Sequence, residues 1–113
     1  MVMILEGKNR IRDLINDDID KGQLGEDGTA ETEADTGLGT PDATTLLTVT
    51  STTADKQIQV DYNLNSTLGN GTTYAEYEIT TTVAGTSLNR ITFYDLEKTQ
   101  SEEWQISTII DIE

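Results

Sequence analysis

The 113-residue sequence contains no histidine and no cysteine. Without histidine it lacks the commonest general base, and without cysteine it has neither a thiol nucleophile nor a disulfide. The two residue types are also the usual ligands of zinc, so their absence removes most zinc and iron chemistry. We therefore predict a protein that is not an enzyme, that holds no cofactor and no metal ion, and that acts on no small-molecule substrate.

Positive charge is also scarce, because seven lysines and arginines stand against 21 aspartates and glutamates and give a net charge of −14. Such a chain is repelled by nucleic-acid phosphates and by anionic lipid, so we expect neither nucleic acid nor membranes as partners. No apolar run approaches the roughly 20 residues of a membrane span, and the N-terminus lacks the apolar stretch of a signal peptide. Three readings of the acidity stay open: ordinary solubility, disorder, and adaptation to strong salt, which screens the repulsion between carboxylates.

The order of the residues predicts a single domain over residues 1–113 with three parts. Residues 1–21 are expected to form an amphipathic helix that ends at Gly22, because apolar side chains recur there at helical spacing: Ile4, Ile11, Leu14, Ile15 and Ile19. Residues 22–43 are an acidic connector rich in glycine and threonine, which a short strand near residues 23–24 could interrupt. Residues 44–113 form the body of the domain.

The body changes from helical to strand periodicity. In residues 57–65, Ile58, Val60, Tyr62 and Leu64 alternate with polar side chains, and residues 46–52, 75–83, 91–93 and 104–112 read as further strands. Twenty threonines agree with this reading, because β-branched side chains suit a half-buried sheet. The pattern predicts a mainly β fold, an antiparallel β-sandwich with an N-terminal α-helix and with one wet face on its sheets.

Strand parity and turn residues add detail to this fold. The pair Asn70-Gly71 favours a β-hairpin. The parity of the strands places four of the six aromatic side chains in the core: Tyr62, Tyr77, Phe93 and Trp104.

Several acidic motifs invite a chemical reading, and each has a simpler one. The carboxylates between residues 18 and 35 suggest calcium, but Gly22 stands where the EF-hand spacing needs a ligand, so a solvated acidic loop is favoured. Glu76 and Glu78 share a strand face that we assign to solvent, and a catalytic pair of carboxylates needs a pocket instead; the pair Glu102–Glu103 is read in the same way.

Two tripeptides, which begin at Asn65 and Asn70, satisfy the acceptor pattern for glycosylation. Such tripeptides arise often by chance in a threonine-rich chain. Whether either asparagine carries a glycan is left open.

Read in order, several segments resemble those of a protein family found in tailed viruses. The segments are residues 9–14 (NRIRDL), 27–29 (DGT), 33–38 (EADTGL), 89–93 (NRITF), 97–99 (EKT) and the last strand at 104–112. The order is similar to that of small virion proteins related to the N-terminal attachment domain of phage tail-collar fibres. The family's Leu-x-x-Glu-Val-x-Arg continuation after the turn is replaced here by residues 39–42.

The resemblance implies a non-enzymatic structural protein of the virion, an oligomer at the tail or baseplate that attaches a fibre. Its partners would be copies of itself and other virion proteins, and the acidity would fit a virus of a halophilic, haloarchaeal host. Two alternatives stay open: a capsid-surface decoration or turret protein, and a module that binds a host receptor or a glycan.

Eight residues are expected to take part in packing or in interfaces. Five apolar ones lie in the head and connector: Ile11, Leu14, Ile15, Leu24 and Leu38. Tyr74 and Tyr94 offer rings with a polar tip, which suit an interface. Arg90 is expected to pair with a carboxylate across such an interface.

Overall fold

The computed structural model describes residues 2–113, in which an N-terminal helix is followed by two antiparallel sheets. The fold is therefore mainly β and consistent with a β-sandwich, as predicted. The elements are α1 (Leu5–Asp18), β1 (Ile19–Gly25), a short 3-10 helix (Ala43–Thr45), β2 (Leu47–Thr48), β3 (Thr50–Ala54), β4 (Gln57–Leu64), β5 (Thr73–Thr81), β6 (Ser87–Glu97) and β7 (Trp104–Asp111). Residue 1, which the helix prediction included, lies outside the described residues.

The two sheets are joined along one side of the sandwich. The first sheet has the strand order β2-β1-β5-β6 and the second has the order β3-β4-β7. Residues 46–52, which we predicted as one strand, divide at Val49 into β2 of the first sheet and β3 of the second. Strands β6 and β7 therefore lie at the opposite edges, where only the loop of residues 98–103 connects the sheets.

The core follows the predicted alternation along β4. All four apolar side chains of that strand are fully buried between the sheets. Tyr62 packs edge-to-face on Tyr77, with ring centroids 5.3 Å apart, and Trp104 packs in the same way on Tyr74 at 5.8 Å. Tyr62 and Tyr77 are confirmed as core residues, whereas Phe93 and Trp104 are only partly buried against the core.

The helix ends earlier than predicted, at Asp18, and Gly22 lies inside the inner strand β1. A Cβ atom at Gly22 would come within 2.5 Å of Tyr62 Cδ2 and 3.0 Å of Tyr77 Cε1, so the glycine permits the two tyrosine rings to pack against the backbone. No residue of α1 is fully buried. Within residues 2–113 there is no helix whose length and apolarity would allow it to span a membrane.

The Asn70-Gly71 turn does not form the predicted hairpin, because it joins β4 of one sheet to β5 of the other. Gly71 has φ +81, and this left-handed conformation explains the glycine. The tight hairpin lies instead between β3 and β4, where Lys56 takes φ +60. The Asn70-Gly71 pair therefore predicted a turn correctly, but the two strands that this turn joins do not pair with each other.

Candidate functional site

The outer face of the first sheet carries a buried carboxylate, Glu76 on β5. Its two oxygens accept hydrogen bonds from the backbone N–H groups of Asp27 (3.0 Å), Gly39 (2.8 Å) and Thr40 (2.9 Å). All three donors lie in the connector, which therefore covers this face. The prediction that Glu76 and Glu78 face solvent is wrong, because both side chains are buried.

Arg90 on β6 completes the same group of contacts. Its Nε donates to Glu76 Oε1 at 2.9 Å, its Nη1 to Asp35 at 3.0 Å, and its Nη2 to the carbonyl oxygen of Asp27 at 3.0 Å. We call Glu76, Arg90, Asp35 and the bonded backbone of residues 27, 39 and 40 the connector clamp. The expectation that Arg90 pairs across an interface is corrected, since its guanidinium is paired within the chain.

The electrostatics of the connector clamp favour its charged form. Burial by itself raises the pKa of Glu76, but the N–H groups of Thr40, Gly39 and Asp27 and the Arg90 guanidinium outweigh burial, so that the net pKa lies below its usual value. Burial likewise acts to lower the pKa of Arg90, and the hydrogen bonds and charges of Glu76 and Asp35 raise it overall. Both Glu76 oxygens are occupied by protein donors, so the clamp fixes the connector and offers no free carboxylate to a ligand.

The other motifs are placed as follows. In residues 2–113, no three acidic side chains come together closely enough to hold a metal ion. The side-chain oxygen of Asn65 accepts hydrogen bonds from Thr67, and that of Asn70 accepts one from the buried Lys98 ammonium at 2.9 Å. Glu102 and Glu103 are exposed.

A groove of about 430 Å³ opens between the edge strands β6 and β7. Its lining is almost wholly apolar: Tyr77, Ile91, Phe93, Leu96, Trp104 and Ile106, with Glu103 and Gln105 at its margin. Leu96 is 53% exposed and Ile91 37% exposed, because within residues 2–113 no further strand covers this side of the sandwich. We call this feature the open groove.

The margin of the open groove is acidic. Glu103 lines the groove, Glu102 precedes it in the same loop, and Glu97 follows the lining residue Leu96 on β6; all three are exposed. The groove is thus an apolar slot with a negative rim, and such a slot suits an apolar segment that is flanked by positive charge.

Two of the expected interface residues belong to the interior. Leu24 is fully buried in the core. Tyr74 is fully buried as well, and its hydroxyl donates to Asp42 at 2.6 Å. The expected place of Tyr74 at an interface is therefore corrected, because its ring and its hydroxyl are satisfied within the chain, whereas Leu24 takes the packing role, one of the two roles that were expected for it.

The remaining expected residues lie at or near the surface. Tyr94 on β6 is 94% exposed, and Leu38 is half-buried in the connector. Ile11, Leu14 and Ile15 line a smaller groove of about 210 Å³ beside Leu88 of β6. Their role in an interface stays a prediction.

The sequence reasoning missed the open groove, and it assigned Ile4 to the helix, whereas α1 begins at Leu5 and the apolar residues 2–5 are exposed. The apolar alternation of β7 was visible in the sequence, but it carries no sign that the strand lies at an edge. No family model, no curated protein and no solved structure matches this chain. The function must therefore be argued from the geometry and from the resemblance of the sequence motifs.

Proposed function

We propose that the protein is a non-enzymatic structural subunit that assembles with copies of itself. The open groove carries this proposal, because it leaves apolar side chains exposed along two adjacent edge strands. Natural proteins usually protect long edge strands by covering, charging or pairing them, and this edge carries exposed apolar side chains instead. Strand β6 has 11 residues and carries Tyr94 and Leu96 in exposed positions.

The connector clamp supports a structural role in a different way. An irregular segment of this length inside a small domain is usually functional or held by contacts. Here Glu76 and Arg90 hold it flat on the first sheet. The outer face of that sheet is thus covered within the chain, and its edge at β6 carries the uncovered apolar side chains.

The place of assembly that we propose is the particle of a tailed virus, at the tail or baseplate where a fibre attaches. The motif order that resembles tail-collar attachment domains supports this location. Mapping the protein on purified particles with a specific antibody tests it. Label at the tail is the expected result, label over the capsid would point to a decoration or turret protein, and absence from purified particles would refute the virion location.

Sedimentation velocity tests self-assembly at about 100 µM, a concentration at which contacts of micromolar affinity are occupied. We expect a multiple of the 12.4 kDa chain mass for the unchanged protein. Leu96→Asp, which places a charge in the open groove, is expected to give the monomer. The matched control is Val83→Asp, at a residue that is 59% exposed in the turn between β5 and β6 and away from the groove. A monomeric unchanged protein, or full assembly of Leu96→Asp, would refute the proposal.

One observation favours a second function, the binding of a glycan. A cleft of about 310 Å³ beside the open groove is lined by Asn63, Asn65, Gln105 and Trp104. Amide side chains next to an indole ring can hydrogen-bond sugar hydroxyls while the ring contacts an apolar sugar face. Glycan-array binding that Asn63→Ala abolishes would support this function, and an array without signal would remove it.

A further inference from the structure

We propose that residues 2–5 of one copy dock in the open groove of a second copy, so that the contact runs head to tail. The inference rests on the proposed self-assembly and specifies its contact. We call residues 2–5 the N-terminal tail.

The N-terminal tail is an exposed apolar segment. Its four residues are Val2 (88% exposed), Met3 (38%), Ile4 (65%) and Leu5 (46%). The backbone of Ile4 is extended, with φ −80 and ψ 163, and α1 begins at the last residue of the tail, Leu5. Four consecutive apolar side chains that remain in water forgo their burial free energy, which favours their docking on an apolar surface.

The open groove matches such a segment in shape and in chemistry. Its volume of about 430 Å³ lies in the range of sites that enclose small ligands, about 300–1,000 Å³. Both of its walls are edge strands, and a sheet edge can accept an extended peptide by main-chain hydrogen bonds. An extended apolar tail therefore meets both an apolar lining and backbone partners.

Charge complementarity favours the same pairing. The residues that follow the N-terminal tail carry one carboxylate, Glu6, and two cations, Lys8 and the exposed Arg10, so that this segment is net positive in a chain whose net charge is −14. The charged residue that lines the open groove is Glu103, and Glu102 beside it in the loop and Glu97 beside the lining residue Leu96 are also exposed carboxylates. The head of one copy and the rim of another thus attract each other, whereas most other surfaces of two such chains repel.

The fold separates the tail from the groove of its own chain. Asn9 is fixed at the β3–β4 turn, where its side-chain oxygen accepts from the Lys56 N–H at 2.8 Å. The groove lies beside Tyr62 and Leu64, the partners of Ile106 and Trp104, and therefore about 20–26 Å further along β4 at 3.3 Å per residue. Because the tail follows a helix held at the far end of β4, a tail from another copy is the favoured occupant.

A contact between two different surfaces is heterologous, so its repetition gives a closed ring or an open filament. A groove-to-groove contact would be isologous and would end at the dimer. Cross-linking distinguishes these arrangements, and the chain offers a clean background because it contains no cysteine.

The experiment uses two single-cysteine variants, Met3→Cys and Leu96→Cys, mixed under mild oxidation. We expect the mixture to form a disulfide-linked pair at least about tenfold faster than either variant alone, since proximity raises the effective concentration of the two thiols. The matched control mixes Met3→Cys with Val83→Cys, whose cysteine is equally exposed but outside the open groove. A rate no higher than that of the control would overturn the docking. Rapid self-linking of Leu96→Cys would also overturn it, in favour of the isologous contact.

A second set of variants is independent of thiol chemistry. Ile4→Asp is expected to abolish assembly without lowering the thermal midpoint that is measured at concentrations too low for assembly, because the Ile4 side chain is exposed in the single chain. Arg10→Glu is expected to weaken assembly, and Glu103→Arg in the same chain is expected to restore it. If Ile4→Asp assembles as fully as Val83→Asp, the proposed docking of the tail is overturned, but the proposed self-assembly still stands. A monomeric unchanged protein would refute both.

Discussion

The connector clamp makes a strong prediction for Glu76→Gln, a substitution that keeps the size of the side chain and removes its charge. Each Glu76 oxygen accepts two hydrogen bonds, one pair from Gly39 and Arg90 and the other from Asp27 and Thr40. A glutamine amide has one oxygen and one NH2 group. One pair of donors must then face an NH2 group, whichever way the amide is oriented.

The magnitude follows from those two donors. A buried donor that loses its partner costs about 1–3 kcal/mol, and removal of one member of a buried ion pair costs about 3–5 kcal/mol. The side chains of Glu76 and Arg90 are 0% and 6% exposed, so water cannot replace the lost partner. We expect Glu76→Gln to lower the free energy of unfolding by about 3–5 kcal/mol, a large part of the about 5–15 kcal/mol of a typical domain.

Urea unfolding at pH 7 measures this change, and hydrogen exchange of the Asp27, Gly39 and Thr40 amides locates it. Glu33→Gln is the matched control, because Glu33 lies exposed in the same connector. A loss below about 1 kcal/mol, the size of a single ordinary hydrogen bond, together with slow exchange of all three amides would refute the clamp.

Three further predictions concern stability. The lowered pKa of Glu76 implies stabilisation that is complete above about pH 4.5, the ordinary pKa of a glutamate, and that is lost as the pH falls through the folded-state pKa. The difference in unfolding free energy between the unchanged protein and Glu76→Gln should therefore shrink below about pH 4.5. A difference that stays constant with pH would contradict this prediction. Gly22→Ala should lower the free energy of unfolding by about 1–3 kcal/mol, because the new Cβ would lie 2.5 Å from Tyr62 Cδ2. Gly7→Ala is the control and should not lower it, because the nearest neighbour of a Cβ there lies at 3.6 Å. Equal urea midpoints of the two variants would refute the packing argument. If the net charge of −14 reflects adaptation to salt, the melting temperature should rise as the Debye length falls from about 10 Å at 0.1 M to about 3 Å at 1 M salt, and a salt-independent midpoint would refute that reading.

The parts of the fold that follow periodicity were predictable from the sequence. The alternation from Ile58 to Leu64 identified β4 and its buried face, and the alternation from Trp104 onward identified β7. In β4 the apolar side chain of each pair is the buried one, so local pattern and tertiary burial agree, whereas in β7 they disagree at Ile109, which is apolar and exposed. Helical spacing located α1 with an error of a few residues at its C-terminal end.

The misplaced parts depend on contacts that are distant in sequence. Glu76 and Glu78 alternate with apolar residues as on a wet face, but the connector returns over that face and buries them. Strand β1 contains Gly22 and Gly25, which are poor strand formers, yet both positions are so close to neighbouring side chains that a Cβ would clash. The open groove was not predictable because sequence does not tell which strands lie at the edges.

Hydrogen exchange at strand β6 tests most directly whether the open groove is the assembly surface. At about 100 µM, the β6 amides that do not pair with β5 should be protected in the unchanged protein and exchange rapidly in Leu96→Asp. The amides of β4, an inner strand, serve as the internal reference because they are paired in both proteins. Equally rapid exchange of the free β6 amides in the two proteins would contradict the account.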